Sequence, residues 1–141
     1  MIIVSACLIG KNCKYNGGNN YNQAVIDYLS DKEYIAFCPE VEAGLPTPRP
    51  PVELQENKAI NAEGQDVTSS FSKGAQKALL LCLDKNIDTA ILKEQSPSCG
   101  VNKIYDGSFN GIKIAGKGMT ADLLSRHGII LYSEKDIELL K

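Results

Sequence analysis

The chain has 141 residues, 43% of them apolar, with 15 basic and 17 acidic side chains for a net charge of −2. That size and composition describe one globular domain over residues 1–141, able to bury a core without a disulfide or metal staple. They exclude intrinsic disorder, and the near-neutral balance excludes binding of long nucleic acid by counterion release.

The apolar start MIIVSACLIG lacks the basic flank of a signal peptide, and no apolar run reaches the length of a transmembrane helix, so a cytoplasmic location is expected. Residues 2–6 are short, β-branched and apolar, which predicts a buried strand. After Asn22, the residues Ala24, Val25, Tyr28 and Leu29 share one face of a short helix. Residues 34–37, YIAF, form the second strand. The segment GLPTPRPP, residues 44–51, holds four prolines in eight positions, so it is a stiff surface loop. Residues 52–61 read as a small hairpin. Phe71, Ala75, Ala78, Leu79 and Cys82 mark one face of a longer helix, with Thr68 as its expected cap. Residues 89–92, TAIL, are the third strand. Residues 103–115 form a second hairpin, turning at YDGSFNG with its Asp-Gly and Asn-Gly pairs. A helix over 121–126 follows, with Thr120 as cap and Gly128 beyond its end. Residues 129–132 are the fourth strand, and 135–140 the last helix, where Ser133 and Asp136 resemble a capping box.

Strands alternating with helices predict right-handed crossovers. The expected architecture is α/β: a Rossmann-like open, mainly parallel sheet with flanking helices and one or two small antiparallel hairpins, at an edge or near the mouth of the site. In such sheets ligands bind beyond the carboxyl ends of the strands. Cys7 follows the first strand, Cys38 the second and, past a short loop, Cys99 the third, so three thiols are expected at one edge. Five cysteines and one histidine, His127, in a chain without an export signal argue against a disulfide framework and against a histidine-built triad or zinc site. Cys82 lies on the apolar stripe of the long helix and reads as a core residue. Cys13, in the Gly- and Asn-rich loop, reads as an exposed thiol or a fourth ligand. No Cys-x-x-Cys pair is present, so spacing alone leaves packing and metal ligation both open. Glu40, two residues after Cys38, and Ser98, beside Cys99, add an acid and a hydroxyl to the thiols. Three thiolates without a fourth ligand would leave one coordination position open on a bound metal centre.

The motifs SACLIG, CPEVEAGLPTPRPP, GQDVT, LKEQSPSCG, YDGSFNG and a terminal SE, in this order from Ser5 to Glu134, closely resemble the thiouracil desulfidase family. The resemblance implies a 4Fe-4S cluster held by three cysteines, Cys7, Cys38 and Cys99, with one open iron that takes the sulfur of a thiolated pyrimidine. It implies a non-redox, hydrolytic desulfidation, and stand-alone members look suited to free thiouracil or 4-thiouridine monophosphate. On this footing Glu40 is the expected general base, with Ser98 orienting the ring or water and Lys93 polarising the base or setting charge near the cluster. Arg49 and the helix start at Thr68 and Ser69 are expected to cradle a phosphate. Tyr15 and Tyr105 are candidates to stack on the ring. The partner is then a small thiolated base or nucleotide, not a membrane. The oligomeric state is not legible. A zinc-dependent hydrolase on the same thiols and a non-catalytic nucleotide-binding or thiol-sensing module are the alternatives.

Overall fold

A computed structural model describes residues 1–140. The main sheet contains β1 (Ile2–Ser5), β2 (Tyr34–Phe37), β5 (Thr89–Leu92) and β8 (Ile130–Ser133), ordered β2-β1-β5-β8. All its pairings are parallel, with Val4 opposite Ala36 on one side and Ile91 on the other. Successive side chains on a strand point to opposite faces, so this sheet has two cores. Ile3, Ala90 and Leu92 pack under α3 (Thr68–Lys85) and α4 (Met119–Arg126) through Ala78, Cys82, Ala121 and Leu124. Ile2, Val4 and Ile91 pack under α1 (Gln23–Leu29) and α5 (Glu134–Leu139) through Val25, Leu29 and Ile137. The result is the expected α/β architecture, with helices on both faces. Cys82 is a core residue, 1% exposed.

Both hairpins form where expected, the second at its predicted turn. β3 (Val52–Gln55) pairs with β4 (Lys58–Asn61), and β6 (Lys103–Tyr105) pairs with β7 (Lys113–Ala115), each antiparallel. Val52, Leu54, Ala59 and Ile104 gather around the buried ring of Phe71, so the hairpins share a third small core at one end of α3. The short helix α2 (Pro39–Glu42) follows β2 directly and packs on α3. Gly74 makes that contact possible, because a methyl there would run into the Pro39 carbonyl.

Several local expectations shift. β1 stops at Ser5, and Ala6–Ile9 form a 3₁₀ turn closed by Gly10 at φ +96°. β8 starts one residue later than expected. Thr68 is the first residue of α3 rather than its cap. Its hydroxyl instead accepts the Ala59 N–H at 2.9 Å, tying β4 to the helix, while Asp66 accepts the Thr68 N–H at 2.9 Å. Thr120 likewise lies inside α4, and among the described residues its hydroxyl has no partner. Asn22 does cap α1 by accepting the Val25 N–H, and Ser133 and Asp136 do form a capping box on α5.

Candidate active site

From β1 the chain crosses to β2 on one side, and later returns to place β5 on the other side of β1. The connections therefore diverge between β1 and β5, and a crevice opens at the carboxyl edge there. A cavity of about 450 Å³ occupies that edge. Cys7, Cys38 and Cys99 all line it, as the strand-end rule anticipates, and Cys13 joins them. The 3₁₀ turn after β1 carries Cys7, and Cys38 sits between β2 and α2. Cys99 lies in the loop after β5, whose backbone packs so closely on Gly118 that any side chain at Gly118 would meet the Ser98 carbonyl.

The loop that carries Cys13 folds back over the crevice, where the Cys13 side chain adjoins Cys7 and Cys38 and the Cys38 thiol donates to the Cys13 carbonyl at 3.9 Å. Interaction with Cys38 and Cys7 pushes the Cys13 pKa up, and burial adds to this. Cys38 is correspondingly lowered to about 7, chiefly by the Cys13 bond and against the cost of burial. Cys7 is lowered for the same first reason, with the Lys93 charge adding to it. Cys99 is pushed up to about 12 by burial. Among the described residues, no three His, Cys, Asp or Glu side chains are grouped tightly enough to hold a single metal ion. A soft, all-sulfur donor set spread over three strand ends around a cavity fits a polynuclear iron–sulfur core, which takes cysteine thiolates as ligands. Binding such a core would release the proton that burial keeps on Cys99.

Beside the thiols runs a continuous polar chain. Glu40 stands in the first turn of α2, and its Oε2 accepts the Ser98 hydroxyl at 2.9 Å. Ser98 Oγ is 3.1 Å from Ser96 Oγ. A hydroxyl carries one proton, so with Ser98 donating to Glu40, Ser96 donates to Ser98. The other Glu40 oxygen, Oε1, accepts Arg49 Nε at 3.0 Å. The two expected catalytic groups, Glu40 and Ser98, are thus in direct contact although 58 residues apart.

Arg49 lines the cavity with its guanidinium engaged by the protein itself. Besides Glu40, its guanidinium donates to the Pro46 carbonyl at 3.2 Å, the Thr47 hydroxyl at 3.0 Å and the Cys13 carbonyl at 2.7 Å. A buried fork whose donors meet four protein acceptors has its charge and geometry committed to the fold. Arg49 therefore holds Glu40 and the Cys13 loop in register. Thr68 and Ser69 are not brought to the cavity at all, because the start of α3 faces β4 instead. Lys93 does line it. Its Nζ pairs with Glu134 Oε2 at 3.2 Å and donates to the Glu94 carbonyl at 2.8 Å, which fixes the cation close to Cys7.

Further residues shape the site. Ser5, the last residue of β1, accepts the Lys93 N–H at 2.9 Å and bonds the Cys99 thiol. Glu94 organises the loop that bears Cys99. Its Oε1 accepts the N–H groups of Val101 at 2.9 Å, Asn102 at 2.9 Å and Lys103 at 3.1 Å, and Oε2 accepts the Asn102 amide at 3.0 Å. Burial opposes ionisation of Glu94, yet these donors hold its carboxyl below the usual range. Ser96, inside the SPSCG motif, was within reach of sequence reasoning. Phe109, inside YDGSFNG, and Glu53 also line the cavity, and only Glu53 lies outside every motif singled out in the sequence.

A family model described as 2-thiouracil desulfurase matches residues 2–136. A protein of Bacillus subtilis (strain 168), the uncharacterized protein YbbK, is 39% identical over 147 aligned residues, covering 97% of each chain. A solved structure of a 4Fe-4S-dependent thiouracil desulfidase, TudS, superposes with a TM-score of 0.92 at 48% identity, covering 99% of this chain and 93% of that one.

Proposed function

The chain belongs to the 2-thiouracil desulfurase family, and from that premise we propose that it removes the sulfur of a thiolated uracil by hydrolysis in the crevice between β1 and β5. The observation that carries this reading is the meeting of Cys7, Cys38 and Cys99 with the Glu40–Ser98 pair around one cavity. The relative TudS is named for a 4Fe-4S cluster, and here Cys7, Cys38 and Cys99 would hold one. When bound, the cluster supplies an iron position free of protein sulfur, where departing sulfide, a soft anion, is stabilised.

The chain's own residues supply the remaining chemistry. Hydrolysis replaces a C=S bond with C=O. Water contributes the oxygen, sulfur departs as sulfide with the water's protons, and no electrons are gained or lost. Glu40 accepts a proton from the attacking water, a role that contributes about 10²–10⁴-fold. Arg49 holds one carboxylate oxygen, and Ser98 aims its proton at the other, so Glu40 has one fixed orientation at the cavity wall. Ser96 and Ser98 form a short relay that can return a proton to the leaving group's side. Lys93, fixed by Glu134, keeps positive charge beside Cys7. The substrate is free thiouracil or 4-thiouridine monophosphate, the latter with its phosphate outside the polar chain, since Arg49 is engaged.

Sulfide release by anaerobically reconstituted protein, measured with 2-thiouracil, 4-thiouridine and its monophosphate side by side, tests this. Turnover of at least one substrate is expected, together with loss of iron and activity in Cys99→Ala and retention of wild-type iron content in Cys13→Ser. Absence of sulfide from all three, or full turnover by protein carrying stoichiometric zinc, would overturn it.

A further inference from the structure

The motif YDGSFNG forms the tip of the hairpin between β6 and β7. Its fifth residue, Phe109, has φ +59°, a left-handed conformation that a bulky side chain rarely adopts. Such strain persists only where surrounding structure enforces it, and it gathers at ligand clamps. Here the enforcement is visible and comes from the other hairpin. Glu53 Oε1 accepts the N–H groups of both Gly107 and Phe109, each at 3.1 Å. Gln55 Nε2 donates to the Gly107 carbonyl at 2.9 Å. Gly107, at φ +94°, lies so close to β3 that a Cβ there would sit 2.7 Å from the Leu54 carbonyl oxygen. The tip of one hairpin is thus stapled to the strand of the next, with a carboxylate spent on two backbone amides.

What this staple positions is an apolar ring left 36% exposed beside the cavity that Glu40, Ser98 and the thiols line. A neutral ring stacks on a flat, neutral heteroaromatic. We propose that Phe109 covers the pyrimidine ring of the substrate and determines affinity for it, with Glu53 as the residue that positions Phe109. This rests on the reading of the crevice as a thiouracil site.

The chain contains no tryptophan, so Phe109→Trp introduces a single fluorophore. Cluster-free Phe109→Trp protein is titrated with 2-thiouracil and with uracil, and Leu80→Trp, on the exposed face of α3, corrects for light absorbed by the ligand. Saturable quenching in Phe109→Trp beyond the control is expected; its absence for both ligands overturns the proposal. In reconstituted enzyme, Phe109→Ala should raise KM for 2-thiouracil about 5- to 150-fold, the range expected for losing one stacked ring, with a smaller change in kcat. Phe109→Tyr should restore KM, and Glu53→Gln, which keeps an acceptor oxygen, should retain more affinity than Glu53→Ala. An unchanged KM in Phe109→Ala, alongside a wild-type enzyme that releases sulfide, refutes the role of Phe109 while leaving the desulfidation intact. A wild-type enzyme that releases no sulfide refutes the desulfidation instead, and the quenching titration still decides Phe109.

Discussion

Replacing Arg49 with methionine separates two roles that a cation near a nucleotide site can play. The side chains of Arg49 and Glu40 are 4% and 12% exposed, and the guanidinium donates to four acceptors. Removing one partner of such a buried pair leaves a carboxylate without its counter-charge, which costs about 3–5 kcal/mol. For a chain of this length that lowers Tm by roughly 10–15 °C. Thermal and urea unfolding of reduced, cluster-free protein measures the loss. Glu40→Gln/Arg49→Met should then be more stable than the sum of its single variants by about 0.5–3 kcal/mol, because the double change leaves no unpaired charge. Activity should fall by the same factor on 2-thiouracil and on 4-thiouridine monophosphate, since the lost function is the fixing of Glu40. A stability loss below about 1 kcal/mol, or an activity loss confined to the nucleotide, would refute this account and return Arg49 to phosphate binding.

Glu94 ties stability to acid. Its carboxyl is held below its ordinary value of 4.5, so the charged form is favoured by folding. The stabilisation is present above that ordinary value and disappears as pH falls through the lower, folded-state value. Wild-type urea midpoints should therefore drop on acidification, and Glu94→Gln should be less stable at neutral pH with a flatter acid limb; parallel pH profiles would contradict the assignment. Gly74→Ala sets helix propensity against packing. In an exposed helix interior the change stabilises by about 1 kcal/mol, but here the methyl meets the Pro39 carbonyl. Net destabilisation of about 1–3 kcal/mol is expected from such overpacking, with reduced activity as Cys38 and Glu40 shift. A stabilised variant in urea unfolding would show that the α2–α3 contact yields.

Some of this protein could be read from residue order alone. Strand identity rests on β-branching and run length, and hairpin position rests on turn residues such as the Asp-Gly and Asn-Gly pairs, all local properties. Because parallel strands share one carboxyl edge, cysteines that follow three successive strands had to converge, whatever their separation in the chain. That topological rule made Cys7, Cys38 and Cys99 legible, and the residues beside two of them, Glu40 and Ser98, came with them. The folded structure alone decided what the remaining polar groups do, because each depends on a partner far away in sequence. Arg49 meets the Cys13 carbonyl across 36 residues, and Glu53 meets Gly107 across 54. The Thr68 hydroxyl accepts the Ala59 N–H of β4 and Asp66 accepts the Thr68 N–H, so groups at a helix start that looked free for an anion are engaged within the fold. A side chain's type limits which bonds it can make, but only the three-dimensional packing determines which acceptor or donor is within 3 Å of it once water has been excluded.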